Sequence, residues 1–447
     1  MKVADTAVAS AWAEPANAAV SAQQWKRSVW TAFAGFFIDF YDLYLPIIVL
    51  APAYAYFKPA GVNSPILESF VFATALLGRP LGALTFGYWS DRIGRKRVSM
   101  IAMAGSAITV LLTALLPGYA SIGMLSISLL IFLRFFTGFF VGGQYTGAVT
   151  LAMEACPARQ RGFYAAVVTS SGNLSFVVMA LLGMAVLQLF PAGNAEASYS
   201  LYGWRIPFIA GGVLAFIFLS YIRNHLEESK VWLAARSKGS PLTSLFANVR
   251  IGRDLVQAFV LMIGLWLIYF VPAAILPPIL RTAVQLSPIQ VTGVLLVGSI
   301  VAVGGFLLGG YVSDQIGRRA AFVRFGLLLA IAGTLTTVYV VGLPNTNMAM
   351  IHIAFSIMFG IVGLVWGSGP HSYLNERFHT GSRSSGYGIV FSFSIILPSF
   401  YGFYQSWLGK VMLPIYTPAA ILLVGSIIVI AAAAMGPETQ SLRLIEE

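Results

Sequence analysis

An all-α membrane protein, with twelve transmembrane helices in two six-helix, pseudo-symmetric bundles, is the fold class that three features of this sequence predict. Of its 447 residues, 58% are hydrophobic and only 10% charged, whereas a soluble domain carries roughly a quarter charged residues. Apolar stretches of about 20 residues, the length that crosses a ~30 Å hydrocarbon core, recur twelve times. A nine-residue motif occurs twice, about half a chain apart, at 87–95 and 310–318.

The apolar stretches predict helices at 28–56, 67–89, 98–117, 121–152, 162–190, 205–223, 254–280, 289–312, 320–343, 348–371, 384–408 and 416–435. Their connections alternate sides. Of the 27 Lys and Arg, Lys58, Arg205, Arg281 and Lys410 fall on one side, Arg79 and Arg134 fall inside helices, and all the others fall on the opposite side. By the positive-inside rule that richer side, with both termini, is cytoplasmic, as expected of a multi-pass protein of the cell inner membrane. The net charge of +11 is then a topology signal, and no nucleic-acid partner is expected.

The predicted organisation is a disordered cytoplasmic tail (1–26), an N-terminal six-helix bundle (27–223), a cytoplasmic linker (224–253), a C-terminal six-helix bundle (254–436) and a cytoplasmic C-terminal tail (437–447). The first 25 residues are Ala-rich and lack the separate apolar core of a signal peptide. The linker, rich in charge, is expected to lie along the membrane surface. Cys156 is the single cysteine, so no disulfide forms within the chain, and it reads as an inert thiol.

The repeat carries the organisation. Gly-Tyr-Trp-Ser-Asp-Arg-Ile-Gly-Arg at 87–95 matches Gly-Tyr-Val-Ser-Asp-Gln-Ile-Gly-Arg at 310–318 in seven of nine positions. Glu154 and Arg161 after predicted helix 4 are echoed by Glu376 and Arg383 after predicted helix 10 at nearly the same spacing. Six helices are therefore followed by six more of the same plan. Parallel repeats of this kind place a binding site near the midplane between the halves.

Gly-x-x-x-Asp-Arg-x-Gly-Arg-Lys at 87–96 resembles the signature loop of the major facilitator superfamily, and Arg134-x-x-x-Gly138 is similar to its second motif. Arg79-Pro80-Leu81-Gly82-Ala83, Asp39-Phe40-Tyr41-Asp42, Gly203-Trp204-Arg205-Ile206-Pro207-Phe208 and Leu226-Glu227-Glu228-Ser229 resemble its metabolite–proton symporter branch. The resemblance spans the chain and is denser in the first half. It implies the major facilitator fold, no cofactor and no enzymatic activity. It also implies substrates like those of the branch: citrate, 2-oxoglutarate, shikimate or proline/betaine. The chain departs from that branch in two places: Asp39-Phe40 stands where it carries Glu-Trp, and Gln144 where it carries Glu.

Four ionisable side chains fall near mid-depth: Asp39 and Asp42, Arg79, and Arg134. Each costs at least ~2.5–3.5 kcal/mol at the bilayer centre, so they must face the bundle interior and largely neutralise one another. Gly35, Asp39, Asp42 and Pro46 share one helix face, as do Arg134, Gly138, Val141 and Tyr145. Arg does not deprotonate, so Arg79 is assigned to a substrate anion and Arg134 to modulating the acids; Asp39 and Asp42 titrate and are assigned to proton coupling. The alternative is a static ion-pair cluster that only fixes packing.

The second half offers neutral candidates. Tyr41, Gln144, Asn173, Trp266, Tyr269, Trp366, Tyr387 and Gln405 join Arg79 as expected substrate-binding residues, giving shape and hydrogen bonds. Packing or an interfacial aromatic belt is the alternative for each. His352 and His371 read as structural. Asp91, Arg95, Glu154 and Arg161, with Asp314, Arg318, Glu376 and Arg383, are expected to form cytoplasmic latches that bias alternating access. The expected activity is proton-coupled symport of a small organic anion, a mono- or dicarboxylate that includes aromatic acids, by a monomer whose partners are the anion, protons and the lipid bilayer. An exporter working by proton exchange and a non-transporting membrane sensor or scaffold are the alternatives. No metal-binding, nucleotide-binding or nucleophile motif points to an enzyme.

Overall fold

A computed structural model describes residues 22–59, 65–234 and 249–440. No strand occurs among them, and twelve long helices account for most of the described chain. In chain order these are α1 (Gln23–Leu50), α2 (Pro65–Ile93), α3 (Arg95–Ala114), α4 (Leu125–Ala155), α5 (Ala158–Leu189) and α6 (Tyr199–His225). The second set comprises α7 (Gly252–Thr282), α8 (Pro288–Ile316), α9 (Arg318–Gly342), α10 (Met348–Arg377), α11 (Thr380–Leu408) and α12 (Pro414–Met435). Eleven are apolar and long enough to span a bilayer throughout. The twelfth, α2, is 29 residues long with Arg79 at its middle. Large apolar side chains such as Ile217, Leu308, Ile331 and Leu335 are exposed on the outside, as a lipid-facing surface requires.

Small residues let the helices approach. A Cβ added at Gly82 would sit 1.8 Å from the carbonyl oxygen of Phe139, so α2 and α4 touch backbone to backbone. The second half repeats the contact between α8 and α10, where a Cβ at Gly305 would sit 2.2 Å from the Gly360 carbonyl oxygen. Between the halves, α2 packs on α11 and α5 on α8.

Several helices are less regular than their apolar patterns predict. The first helix begins inside the expected N-terminal tail, and residues 1–21 of that tail lie outside the described residues. At Pro46 it widens into a π turn over Leu45–Leu50 and then tightens over Ala51–Tyr56. Another π turn, Val271–Ile275, surrounds Pro272 in α7. In α10 the helix stops at Gly367, Gly369 turns at φ +94°, and Pro370 starts a new helix running to Arg377. The α11 helix breaks after Phe393 and again after Ser399. Of the expected linker, a short helix Lys230–Ala234 is described, and the helical turn from Val249 leads directly into α7; 235–248 lie outside the described residues, as do 441–447 of the expected C-terminal tail.

Candidate functional site: buried charges and two crossed latches

The four mid-helix charges divide into two unlike pairs. Arg134 is fully buried and its Nη1 donates to Asp42 Oδ1 at 2.9 Å. Its Nη2 reaches Thr113 and Thr137, and its guanidinium lies over the Phe208 ring, 5.2 Å from the centroid. This pair therefore sits inside the first half, enclosed by α1, α3, α4 and α6. Asp39 and Arg79 behave differently. Asp39 is buried, and neither carboxylate oxygen has a hydrogen-bond partner among the described residues. Arg79 is also buried, and its Nε has no partner there. Asp39 stands within electrostatic reach of Arg79 and Asp42, and Arg79 within reach of Tyr44 and Tyr145. Asp39 and Asp42 are three residues apart, about 60° around the helix, which is enough to send one toward Arg134 and the other toward Arg79.

Around this second pair the two halves meet through rings and hydroxyls. Tyr145 on α4 bonds Ser392 on α11. Tyr44 on α1 and Tyr269 on α7 share a hydrogen bond of 3.0 Å, and Tyr269 donates to Asn173 Oδ1 at 2.9 Å. Trp266 and Trp366 meet edge to face at 5.0 Å, and their indole N–H groups donate to the carbonyls of Phe391 and Leu265. Tyr387 bonds His371 Nδ1 at 2.8 Å and stacks on Phe391. His371, which the sequence marks only as structural, packs against Phe36 of the other half and keeps a buried, unpartnered Nε2. Tyr44, Tyr145 and His371 carry no motif that singles them out, although the sequence does place Tyr145 on the Arg134 face.

Three expected binding residues lie apart from this cluster. Tyr41 donates to the Pro207 carbonyl and packs on Gly211, within the first half. Gln144 bonds the Gly35 carbonyl, also within the first half, and keeps an unpartnered Oε1. Gln405 sits near the start of α12 against Thr417.

The eight loop residues assemble at one end, here termed the latch end, and they cross between halves. Asp91 accepts from the backbone N–H groups of Ser384 and Ser385 at 3.2 and 2.9 Å, at the start of α11. Asp314 accepts from those of Gly162 and Phe163 at 2.9 and 2.7 Å, at the start of α5. Neither helix start has a side-chain cap of its own from Ser382 or Gln160, so each half's acid caps the other half's helix and meets its positive dipole end. The arginines cross as well: Arg383 pairs with Glu154 at 2.7 Å and Arg161 with Glu376 at 3.1 Å. Arg95 joins Asp91 and Glu154, and Arg318 joins Asp314. Each set of four charges sums to zero.

A further symmetric pair was not singled out for this role from sequence. Glu228 accepts from the backbone N–H groups of Arg95 and Lys96, and Glu438 from those of Arg318 and Arg319. The next residues, Ser229 and Thr439, donate to Glu154 and Glu376. Glu438 and Thr439 thus dock part of the stretch read from sequence as the C-terminal tail.

Twelve helices in two matched halves, buried charges in the first half and crossed latches at one end define a membrane carrier. The profile of the Major Facilitator Superfamily matches residues 32–402, and the chain belongs to that superfamily: it is a multi-pass membrane transporter, not an enzyme. It is 29% identical over 368 residues to a citrate-proton symporter of Salmonella typhi, covering 80% of each chain. It is 30% identical over 326 residues to the alpha-ketoglutarate permease of Escherichia coli K12, covering 71% of this chain and 73% of that one. Among solved structures, the proton:xylose symporter XylE superposes with a TM-score of 0.75 at 17% identity, over 94% of this chain and 98% of that one, a likeness of fold.

Proposed function

We propose that the protein is a proton-coupled symporter of a small organic anion, working by alternating access in the inner membrane, with the latch end and both termini in the cytoplasm. The observation that carries the reading is the buried pair of Asp39 and Arg79, each lacking a hydrogen-bond partner among the described residues at the atoms noted above. Such groups are costly in a dry interior unless something completes them. A substrate carboxylate completes Arg79 as a bidentate acceptor. It also adds a negative charge beside Asp39, which a proton on Asp39 cancels. Anion and proton therefore enter together, because the site closes readily only when its net charge is unchanged. The pair of Asp42 and Arg134 stays shut inside the first half and sets the field that Asp39 feels. The crossed latches hold one side closed while the other loads, and their release lets the halves rock. The symporter and permease relatives support the same coupling and the same broad class of cargo.

Uptake of labelled carboxylates into proteoliposomes under an inward proton gradient tests this. Accumulation should vanish with a protonophore. Asp39→Asn should lose accumulation yet keep exchange of cargo for cargo, and Arg79→Lys should weaken binding tenfold or more. Gradient-driven accumulation by Asp39→Asn would remove the coupling assignment, and unchanged affinity in Arg79→Lys would remove the anion site.

A further inference from the structure

We infer that the carried anion is a monocarboxylate with a flat, aromatic or conjugated body, its carboxylate on Arg79 and its ring among Phe36, Trp266, Trp366 and Phe391. This rests on the symport reading above and narrows it.

The first argument is the supply of positive charge. Arg134 is already paired with Asp42. Arg95, Arg161, Arg318 and Arg383 are committed to the latches. Arg205 bonds Tyr56 and the Leu116 carbonyl near the start of α6. Among the described residues, that leaves Arg79 as the mid-helix guanidinium with no carboxylate in contact. A second carboxylate on the cargo would lie among neutral rings and near Asp39, with nothing to balance it.

The second argument is the surroundings. Phe391 lies 5.3 Å from Trp266 and 6.3 Å from Phe36, ring centroid to centroid. Trp266 lies 5.0 Å from Trp366. These rings come from both halves, from α1, α7, α10 and α11, and they meet largely edge to face. Edge-to-face and offset contacts favour a further flat ring over a saturated body of equal size. Tyr145, which Arg79 reaches electrostatically, also packs on Phe391 at 5.2 Å, so Tyr145 links the charge to the rings.

The test is competition against labelled benzoate uptake by the full chain in proteoliposomes under a proton gradient. The competitors are cyclohexanecarboxylate, isophthalate, citrate and 2-oxoglutarate. Benzoate should bind about tenfold or more tighter than each of them. Phe391→Leu, checked for folding by its unfolding midpoint, should bring the benzoate to cyclohexanecarboxylate ratio toward one. The inference is overturned if citrate, 2-oxoglutarate or isophthalate equals benzoate, or if cyclohexanecarboxylate does. If none of these acids is carried or bound, the anion-symport reading itself falls, a different result from transport of the wrong acid.

Discussion

Glu154 and Arg383, 229 residues apart and in opposite halves, are joined by a buried ion pair of 2.7 Å. Its counterpart joins Arg161 to Glu376 at 3.1 Å. Each arginine thus serves the acid of the other half rather than the acid that precedes it in sequence. The consequence is mechanical: ion pairs made between halves must break when the halves separate at this end, whereas pairs made within a half would not.

Breaking one partner of a buried pair costs about 3–5 kcal/mol. Glu154→Gln should therefore shift the carrier toward the form open at the latch end. Cys156 is buried beside this latch and is the single cysteine of the chain, so it reports the opening directly. Maleimide labelling of Cys156 should be at least tenfold faster in Glu154→Gln than in the unaltered protein. Equal rates would mean that the latch does not control opening.

Burial pushes the Cys156 thiol up from its ordinary value of 9.0 to about 12. The thiolate is the reactive form, so at pH 8 its population falls roughly a thousandfold below that of an ordinary thiol. Labelling of the closed protein should rise steadily from pH 7 to 10, while that of denatured protein is half-maximal near pH 9 and levels off above about pH 10. Because the folded value is the higher one, stability is unaffected below pH 9 and declines above it. Half-maximal labelling near pH 9 in the folded protein would contradict the burial.

Asp42 is the counter-charge to a fully buried Arg134. Asp42→Asn should destabilise the protein by about 3–5 kcal/mol, read as a fall in the unfolding midpoint in detergent. Adding Arg134→Gln should recover a large part of that loss, because the unpaired charge goes with it. Additive losses in the double variant would show that the two residues do not act as a pair.

Gly82 lies against the backbone of Phe139, whereas Gly304 has nothing within 4 Å of a built Cβ. Gly82→Ala should cost about 1–3 kcal/mol or more by forcing α2 from α4. Gly304→Ala on the outer face of α8 should be neutral or slightly stabilising, since alanine favours helix. Thermal unfolding of the two variants side by side separates a packing effect from a general intolerance of substitution.

Much of this architecture is written in the chain. Spans of about 20 apolar residues have few solutions in a bilayer other than helices, because backbone groups must bond within the segment. The doubled loop motif at 87–95 and 310–318 announces two halves, and the cost of charge at mid-depth points to Asp39, Asp42, Arg79 and Arg134. Spacing along a helix assigns a face, but not the neighbour that the face meets. Hence sequence groups Asp39 with Asp42, and only packing gives Asp42 to Arg134 and leaves Asp39 near Arg79. The repeat likewise links Glu154 with Arg161 and Glu376 with Arg383, while the fold exchanges the arginines. A sequence repeat records what each half contains; which half supplies each partner depends on how the two bundles dock in three dimensions.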